Sequence, residues 1–355
     1  MYYQKTNRQA NNFDLIRSVF ALVVVIAHIA SFSQLAVFLR LEEIFNPKVA
    51  VDGFFIVSGF LIFMSFERSS SLASYIKKRS TRILPGYIAV IVICAVAFSL
   101  ISSLSFKQYF NLEFLKYIFF NLLTLNFLQP TLPGVFENNR IQAVNFPLWT
   151  IKVEIMFYIV VPFIAYILVK TNKILAIGAI YLLSILYSTA IMQLSGHLDA
   201  GIIVQLEQQL PGQMAFFISG ALLYYYFDKF RQNILLFLPL AVLVIILHNH
   251  ALNIYLLYPL ALAAIVIYFA LIFKYLGNFG KYGDFSYGIY IWHFPILQVL
   301  DHYKMFDNPS VAIPLSFISI FFVAFLSWHL IEKPFLSRKS HYVAAETKIK
   351  EYVTK

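Results

Sequence analysis

Residues 13–28 read FDLIRSVFALVVVIAH, and the chain stays largely apolar as far as Phe38. A run of this length is enough for a helix that crosses a bilayer, since about 20 mostly apolar residues are required. The run nevertheless carries Arg17 and His28, and ionisable side chains are costly in hydrocarbon and mark functional candidates. The stretch therefore predicts a transmembrane helix that does more than anchor the chain.

The composition of the whole 355-residue chain has the same character. It is 60% hydrophobic and 12% charged, whereas soluble domains carry about 25% charged residues. This excludes a soluble enzyme or a DNA-binding protein as a description of the whole chain, so we do not interpret the net charge of +10 as nucleic-acid binding. The single cysteine, Cys94, excludes an internal disulfide and a cysteine-clustered metal site, and we expect no metal.

The hydropathy pattern predicts an all-α polytopic membrane protein with about ten transmembrane helices. The predicted spans are residues 13–38, 49–66, 83–104, 147–169, 174–194, 210–228, 234–248, 252–273, 283–302 and 311–331. We expect residues 1–335 to form one membrane domain and residues 336–355 to form a cytoplasmic tail.

The distribution of lysine and arginine predicts the orientation of these spans. With both termini in the cytoplasm, most of the cations fall on the inner side, as the positive-inside rule requires. This holds only if the short apolar stretch 118–128 does not cross the membrane, because a crossing there would invert every later loop. We therefore predict that residues 105–146 are extracytoplasmic or partly re-entrant.

Arg17 and His28 lie on one face of the first predicted helix. They are eleven residues apart, which corresponds to about three turns and about 16 Å along the helix axis. The arginine would lie near the cytoplasmic surface and the histidine deep in the membrane. The alternative is an arginine that extends to the interface and a histidine that is merely hydrogen-bonded in the core.

Two carboxylates, Asp52 and Glu154, are predicted at about the depth of His28. Each lies about 21–22 Å above the inner end of its span at 1.5 Å per residue. A carboxylate beside an imidazole fixes its tautomer and raises its basicity. Which of the two would contact His28 is left open, and Asp52 could instead be an interfacial cap.

Arg79 and Arg82 lie in the predicted inner loop between the second and third spans. Their spacing would place them side by side on a helical face. Two neighbouring guanidiniums suit a phosphate-rich ligand because each presents a planar fork of donors. The alternative is a positive-inside anchor that binds lipid headgroups.

A series of motifs follows in order along nearly the whole chain. It comprises Arg-x10-His from Arg17, Asp-Gly-Phe-Phe-Ile-Val-Ser-Gly-Phe-Leu from Asp52, Arg-x-x-Arg from Arg79, Trp-Thr-x-x-x-Glu from Trp149, Tyr-Gly-Ile-Tyr-Ile-Trp-His-Phe-Pro from Tyr287 and Glu-Lys-Pro-Phe from Glu332. Together these motifs resemble the acyltransferase-3 family of membrane O-acyltransferases, and in particular its stand-alone members without an SGNH-type hydrolase domain. One departure is the bulky Ser18-Val19-Phe20, where the family usually has a small, glycine-rich stretch.

The resemblance implies an enzyme of the bacterial inner membrane. It implies transfer of an acyl group, most often acetyl from acetyl-CoA, to a hydroxyl of a cell-surface or lipid-linked glycan, such as an O-antigen or an exopolysaccharide. The expected site then comprises the catalytic groups His28, Asp52 and Glu154, the coenzyme A contacts Arg17, Arg79 and Arg82, and the acceptor contacts Trp149, Tyr290 and His293.

Two other classes of function fit parts of the pattern. A proton-coupled exporter of glycans or small solutes would also use histidine and carboxylates in the middle of the membrane. A scaffold in a polysaccharide-synthesis complex would not need the intramembrane ionisable residues at all. The sequence identifies neither the acceptor nor the oligomeric state.

Overall fold

The computed structural model describes residues 11–250 and 254–337. Within these ranges the chain forms helices, turns and no β-strand. The helices are α1 Phe13–Ser33, α2 Ala36–Ile44, α3 Pro47–Glu67, α4 Leu72–Ala97, α5 Phe106–Tyr109, α6 Leu112–Leu122, α7 Trp149–Lys170, α8 Lys173–Leu194, α9 Ala200–Glu207, α10 Leu210–Tyr225, α11 Phe227–Gln232, α12 Ile234–His250, α13 Tyr258–Ile267, α14 Phe285–His302 and α15 Pro309–Leu326. The π-helical segments Tyr268–Ile272 and Ser327–Glu332 extend α13 and α15.

Six of the described helical segments are long and apolar enough to cross a membrane: Phe13–Ser33, Pro47–Glu67, Leu72–Leu100, Phe146–Lys170, Lys173–Leu194 and Pro309–Phe335. The all-helical membrane architecture is therefore confirmed. The other predicted spans correspond to α10, α12, α13 and α14, which are too short or too polar to meet the same criterion. The count of ten and the cytoplasmic position of both termini stay predictions, and nearly all of the predicted tail, residues 336–355, lies outside the described ranges.

Some of the predicted helix boundaries are wrong. The first span was expected to reach residue 38, but α1 ends at Ser33, and Gln34 adopts a left-handed conformation with φ 54°. The loop predicted around Arg79 and Arg82 is helical, because α4 begins at Leu72. The Ser71 hydroxyl accepts a hydrogen bond from the Ser74 amide at 3.1 Å and starts the helix, well before the hydropathy rises.

The described residues divide into two compact units. The first takes in residues up to 16, 51–76 and 153–278, and the second takes in residues 17–50, 77–152 and those from 279 onward. In the first unit, α3 and α10 approach closely through glycines. A Cβ at Gly59 would collide with the Phe217 carbonyl, and a Cβ at Gly220 would collide with the Ile56 carbonyl.

The second unit is organised around the contact between α14 and α15. Gly288 of α14 lies against Ala324 of α15, where an added Cβ would come within 3.1 Å of the Ala324 Cα. Gly86 of α4 similarly leaves room for the Tyr287 ring. Small residues thus let three helices of this unit pack against one another at short range.

The segment between α4 and α7 contains only short helices. Its longest, α6, has 11 residues and a length of about 16 Å, too short for a hydrocarbon core of about 30 Å. The whole segment is attached to α4 at two points. The Tyr87 hydroxyl of α4 donates to the Asn121 carbonyl of α6 at 2.6 Å, and the Tyr109 hydroxyl of α5 donates to the Ala95 carbonyl of α4 at 2.6 Å. This fits the predicted non-crossing segment, although its location outside the membrane stays a prediction.

The glycine contact between α3 and α10 predicts the effect of a single methyl group. Gly220→Ala should lower the stability of the protein in detergent by about 1–3 kcal/mol, because the new Cβ has to displace backbone. Gly178→Ala in α8 is the matched control, since no atom lies within 4 Å of the position of its Cβ, and should leave stability unchanged or slightly higher. Equal unfolding temperatures for the two variants would contradict the close approach of these helices.

Candidate functional site

Helix α14 carries the residues on which the candidate site is built. The Asp284 side chain caps its first turn, where Oδ1 accepts from the Ser286 amide at 3.1 Å and from the Ser286 hydroxyl at 2.5 Å. Most of the helix is buried, including Tyr290 and His293, and His293 is 0% exposed. Because buried polar groups need hydrogen-bond partners, the polar residues of α14 determine what must lie around it.

The structure brings His28 and His293 into direct contact. The distance between His28 Nδ1 and His293 Nε2 is 2.9 Å, and the ring centroids are 5.0 Å apart. The Phe294 ring packs edge-on against His28 at 5.1 Å. His28 is half-buried as a residue, and His293 and Phe294 pack against its ring.

The hydrogen bonds of His293 determine the tautomers of both neutral rings. His293 Nδ1 lies 2.7 Å from the Tyr290 carbonyl and 3.2 Å from the Ile289 carbonyl. Carbonyl oxygens only accept, so Nδ1 carries the hydrogen and Nε2 presents a lone pair. That lone pair accepts from His28 Nδ1–H, which leaves His28 Nε2 unprotonated. The arrangement therefore leaves His28 Nε2 with a lone pair that can accept a proton.

Arg17 and Arg82 meet at one carboxylate. Arg17 Nη1 donates to Asp284 Oδ2 at 2.6 Å, and Arg82 Nη2 donates to the same oxygen. The two arginine side chains are 19% and 14% exposed, whereas that of Asp284 is 2% exposed. Arg79, three residues before Arg82 on α4, is half-buried. Two of the three predicted phosphate contacts are thus brought together by an aspartate to which the sequence analysis gave no role.

A second buried carboxylate lies near this arginine pair. Glu332 is 3% exposed at the end of the π-helical segment that extends α15. Its Oε1 accepts from the Ser327 hydroxyl at 2.8 Å, and it interacts electrostatically with Arg82 and Arg17. Glu332 is thus a second carboxyl group beside the arginine pair.

The segment before α7 is bonded to the middle of α14. Pro295 cannot donate to the Ile291 carbonyl, and the Asn145 side chain donates to that carbonyl instead, at 2.9 Å. One turn later, Gln298 donates to the carbonyls of Ile141 and Ala143 at 2.5 and 2.6 Å. These bonds compensate for the proline and hold residues 141–145 against the helix.

The predicted acceptor contacts lie on this part of the unit. Trp149 is half-buried at the start of α7. The next residue, Thr150, has its Oγ1 2.9 Å from the Tyr290 hydroxyl. Tyr290 and His293 are one helical turn apart, so they are neighbours on α14. The structure therefore places Tyr290 beside Thr150, and His293 beside His28.

Asp52 and Glu154 belong to the first unit. Asp52 is 1% exposed, and Glu154 Oε1 accepts from the Tyr158 hydroxyl at 2.7 Å. Their predicted pairing with His28 stays a prediction. Within the second unit, the group directly beside His28 is a second histidine rather than a carboxylate.

Comparisons with known proteins agree with the motif pattern. The profile of the acyltransferase-3 family, described as an acyltransferase domain, matches residues 11–329. The chain is 26% identical over 340 residues to an O-acetyl transferase of Shigella phage Sf6, an alignment that covers 94% of this chain and 98% of the phage protein. It is 32% identical over 165 residues to nodulation protein 10 of Rhizobium leguminosarum bv. viciae, which covers 43% of each chain. No solved structure matches.

Proposed function

Because this chain belongs to the acyltransferase-3 family and is a multi-pass membrane acyltransferase, we propose that it moves an acetyl group from cytoplasmic acetyl-CoA to a hydroxyl of a cell-surface or lipid-linked glycan. The observation that carries the proposal is the contact between His28 and His293, in the unit that also contains the arginine pair. The name of the phage relative supports acetyl as the transferred group. Family membership favours an acyltransferase over the exporter or the scaffold.

His28 is the general base in this proposal. Its Nε2 takes the proton of the acceptor hydroxyl, whose oxygen attacks the carbonyl carbon of the thioester. The bond between that carbon and sulfur breaks, and the leaving thiolate takes the proton from His28. The products are the acetyl ester and coenzyme A with a free thiol. His293 accepts from His28 Nδ1–H throughout, which keeps the ring oriented and stabilises the imidazolium that forms.

The arginines bind the donor in this proposal. Arg79, Arg82 and Arg17 hold the phosphates of acetyl-CoA near the cytoplasmic end of α1 and α4. The pantetheine arm then extends along α1 from Arg17 towards His28, a rise of about 16 Å that is comparable to the length of the extended arm. The site thus accepts an anionic donor that does not itself cross the bilayer, which is why we place the protein in the bacterial inner membrane.

The acceptor approaches from the opposite side in this proposal. Trp149 and Tyr290 provide aromatic surfaces for a sugar ring, and the bond between Thr150 and Tyr290 fixes one of them. His293 acts on His28 rather than on the acceptor. Asp52 and Glu154 remain candidates for orienting the acceptor or the base.

The histidine pair yields a graded prediction. His28→Ala should lower acetyl transfer by at least about 100-fold, since general bases contribute about 10²–10⁴-fold. His293→Ala should lower kcat less, with little change in the KM for acetyl-CoA, because His28 keeps the nitrogen that takes the proton and loses only the partner that orients its ring and stabilises its imidazolium form. Transfer of labelled acetyl to surface glycan by membranes with equal protein levels is the measurement.

A histidine outside the pair is the control for this experiment. His302→Ala, at the last residue of α14, should leave transfer near the wild-type rate. Full activity in His28→Ala would refute the role of His28, and equal losses in the His302 and His293 variants would refute the orienting role of His293.

The arginine motif yields a second prediction. Arg79→Ala combined with Arg82→Ala should raise the KM for acetyl-CoA at least tenfold and leave the KM for the acceptor nearly unchanged. Lys77→Ala combined with Lys78→Ala is the matched control, because it removes the same charge from exposed positions of α4. If both double variants behave alike in steady-state kinetics, the arginines are a lipid-headgroup anchor.

A further inference from the structure

Asp284 links the arginine pair to α14, the helix that carries His293. We propose that its carboxylate is a positioning group on the buried side of the donor-phosphate site. It holds Arg17 and Arg82 side by side and fixes them to the helix that carries His293. This inference rests on the proposed donor site. Asp284 is then a further residue of that site, and its contacts order the arginines before the donor binds.

Arg17 and Arg82 share one oxygen of the Asp284 carboxylate. Arg17 lies on α1 and Arg82 on α4, yet both donate to Asp284 Oδ2. Two guanidiniums at such short range repel each other unless an anion lies between them. Asp284 is that anion, and it prepares the pair for a phosphate instead of leaving the donor to bring the two arginines together. Preorganisation of this kind increases affinity without any new ligand contact.

The two arginines and the aspartate differ in exposure. The Asp284 side chain is 2% exposed, whereas Arg17 and Arg82 retain 19% and 14%. A ligand that arrives from solvent therefore meets the guanidiniums first and the carboxylate lies behind them. The carboxylate therefore supports the pair from its buried side.

The other oxygen of the same carboxylate bonds to the first turn of α14. Oδ1 accepts from the amide and the hydroxyl of Ser286 and so caps α14. His293 lies nine residues after Asp284, about 13 Å along this helix. A single side chain thus joins the donor-phosphate site to the helix that sets the tautomer of His28.

The test uses Asp284→Asn in the purified full-length protein in detergent. Asparagine caps a helix as well as aspartate does, so this variant keeps the cap and removes the charge. The probes are coenzyme A and pantetheine, which lacks the nucleotide and its phosphates, and the measurement is Kd by calorimetry. We expect wild type to prefer coenzyme A at least tenfold, and the variant to bind coenzyme A about tenfold more weakly with pantetheine unchanged.

The matched control is Asp301→Asn, which removes a carboxylate near the other end of α14 and should leave both affinities unchanged. Wild type without a preference for coenzyme A would refute the proposed donor site and this inference with it. A wild-type preference together with equal or tighter coenzyme A binding by Asp284→Asn would refute the inference alone. If Asp284→Asn does not fold, Ser286→Ala loosens the carboxylate without changing charge. That variant should weaken coenzyme A binding severalfold, and unchanged binding would overturn the proposal.

Discussion

The second unit is organised around the need of one buried helix, α14, to find hydrogen-bond partners for Asp284, His293 and Gln298. At the start of α14, Asp284 accepts hydrogen bonds from two arginines, and in the middle of the helix His293 is bonded to His28. Asn145 replaces the donor that Pro295 removes, and Gln298 bonds the chain that precedes α7. Since an unsatisfied buried polar group costs about 1–3 kcal/mol, each contact fixes a neighbour as well as the helix.

The same requirement suits the helix to the proposed acyl transfer. A base must hold one tautomer and one orientation, and an anion site must keep like charges together before the anion arrives. In α14, backbone carbonyls fix the tautomer of the histidine pair, and the buried Asp284 carboxylate holds the two arginines together. A helix is rigid and therefore holds such groups more precisely than a loop would. The proposed transfer then places the donor phosphates at one end of α1 and the thioester near His28.

The parts of the site that follow helical periodicity could be predicted from the sequence. Arg17 and His28 share a face of α1, and Arg79 and Arg82 share a face of α4, because these relations are local. Asp284 lies 267 residues from Arg17, so its contact depends on tertiary packing that no local pattern contains. Hydropathy likewise did not predict the start of α4. The first turns of this helix are capped and helical, but they are charged, and hydropathy detects only apolar segments. The π-helical segment that buries Glu332 has no comparable sequence signal.

Affinity labelling with bromoacetyl-CoA tests the proposed path from the arginines to His28 most directly. A histidine nitrogen that faces the acyl group would displace bromide and become alkylated, and peptide mass spectrometry would locate the label. The account predicts modification of His28, protection by excess coenzyme A and loss of labelling in Arg79→Ala with Arg82→Ala. Labelling that excludes His28, or labelling of His28 that coenzyme A does not suppress, would contradict it.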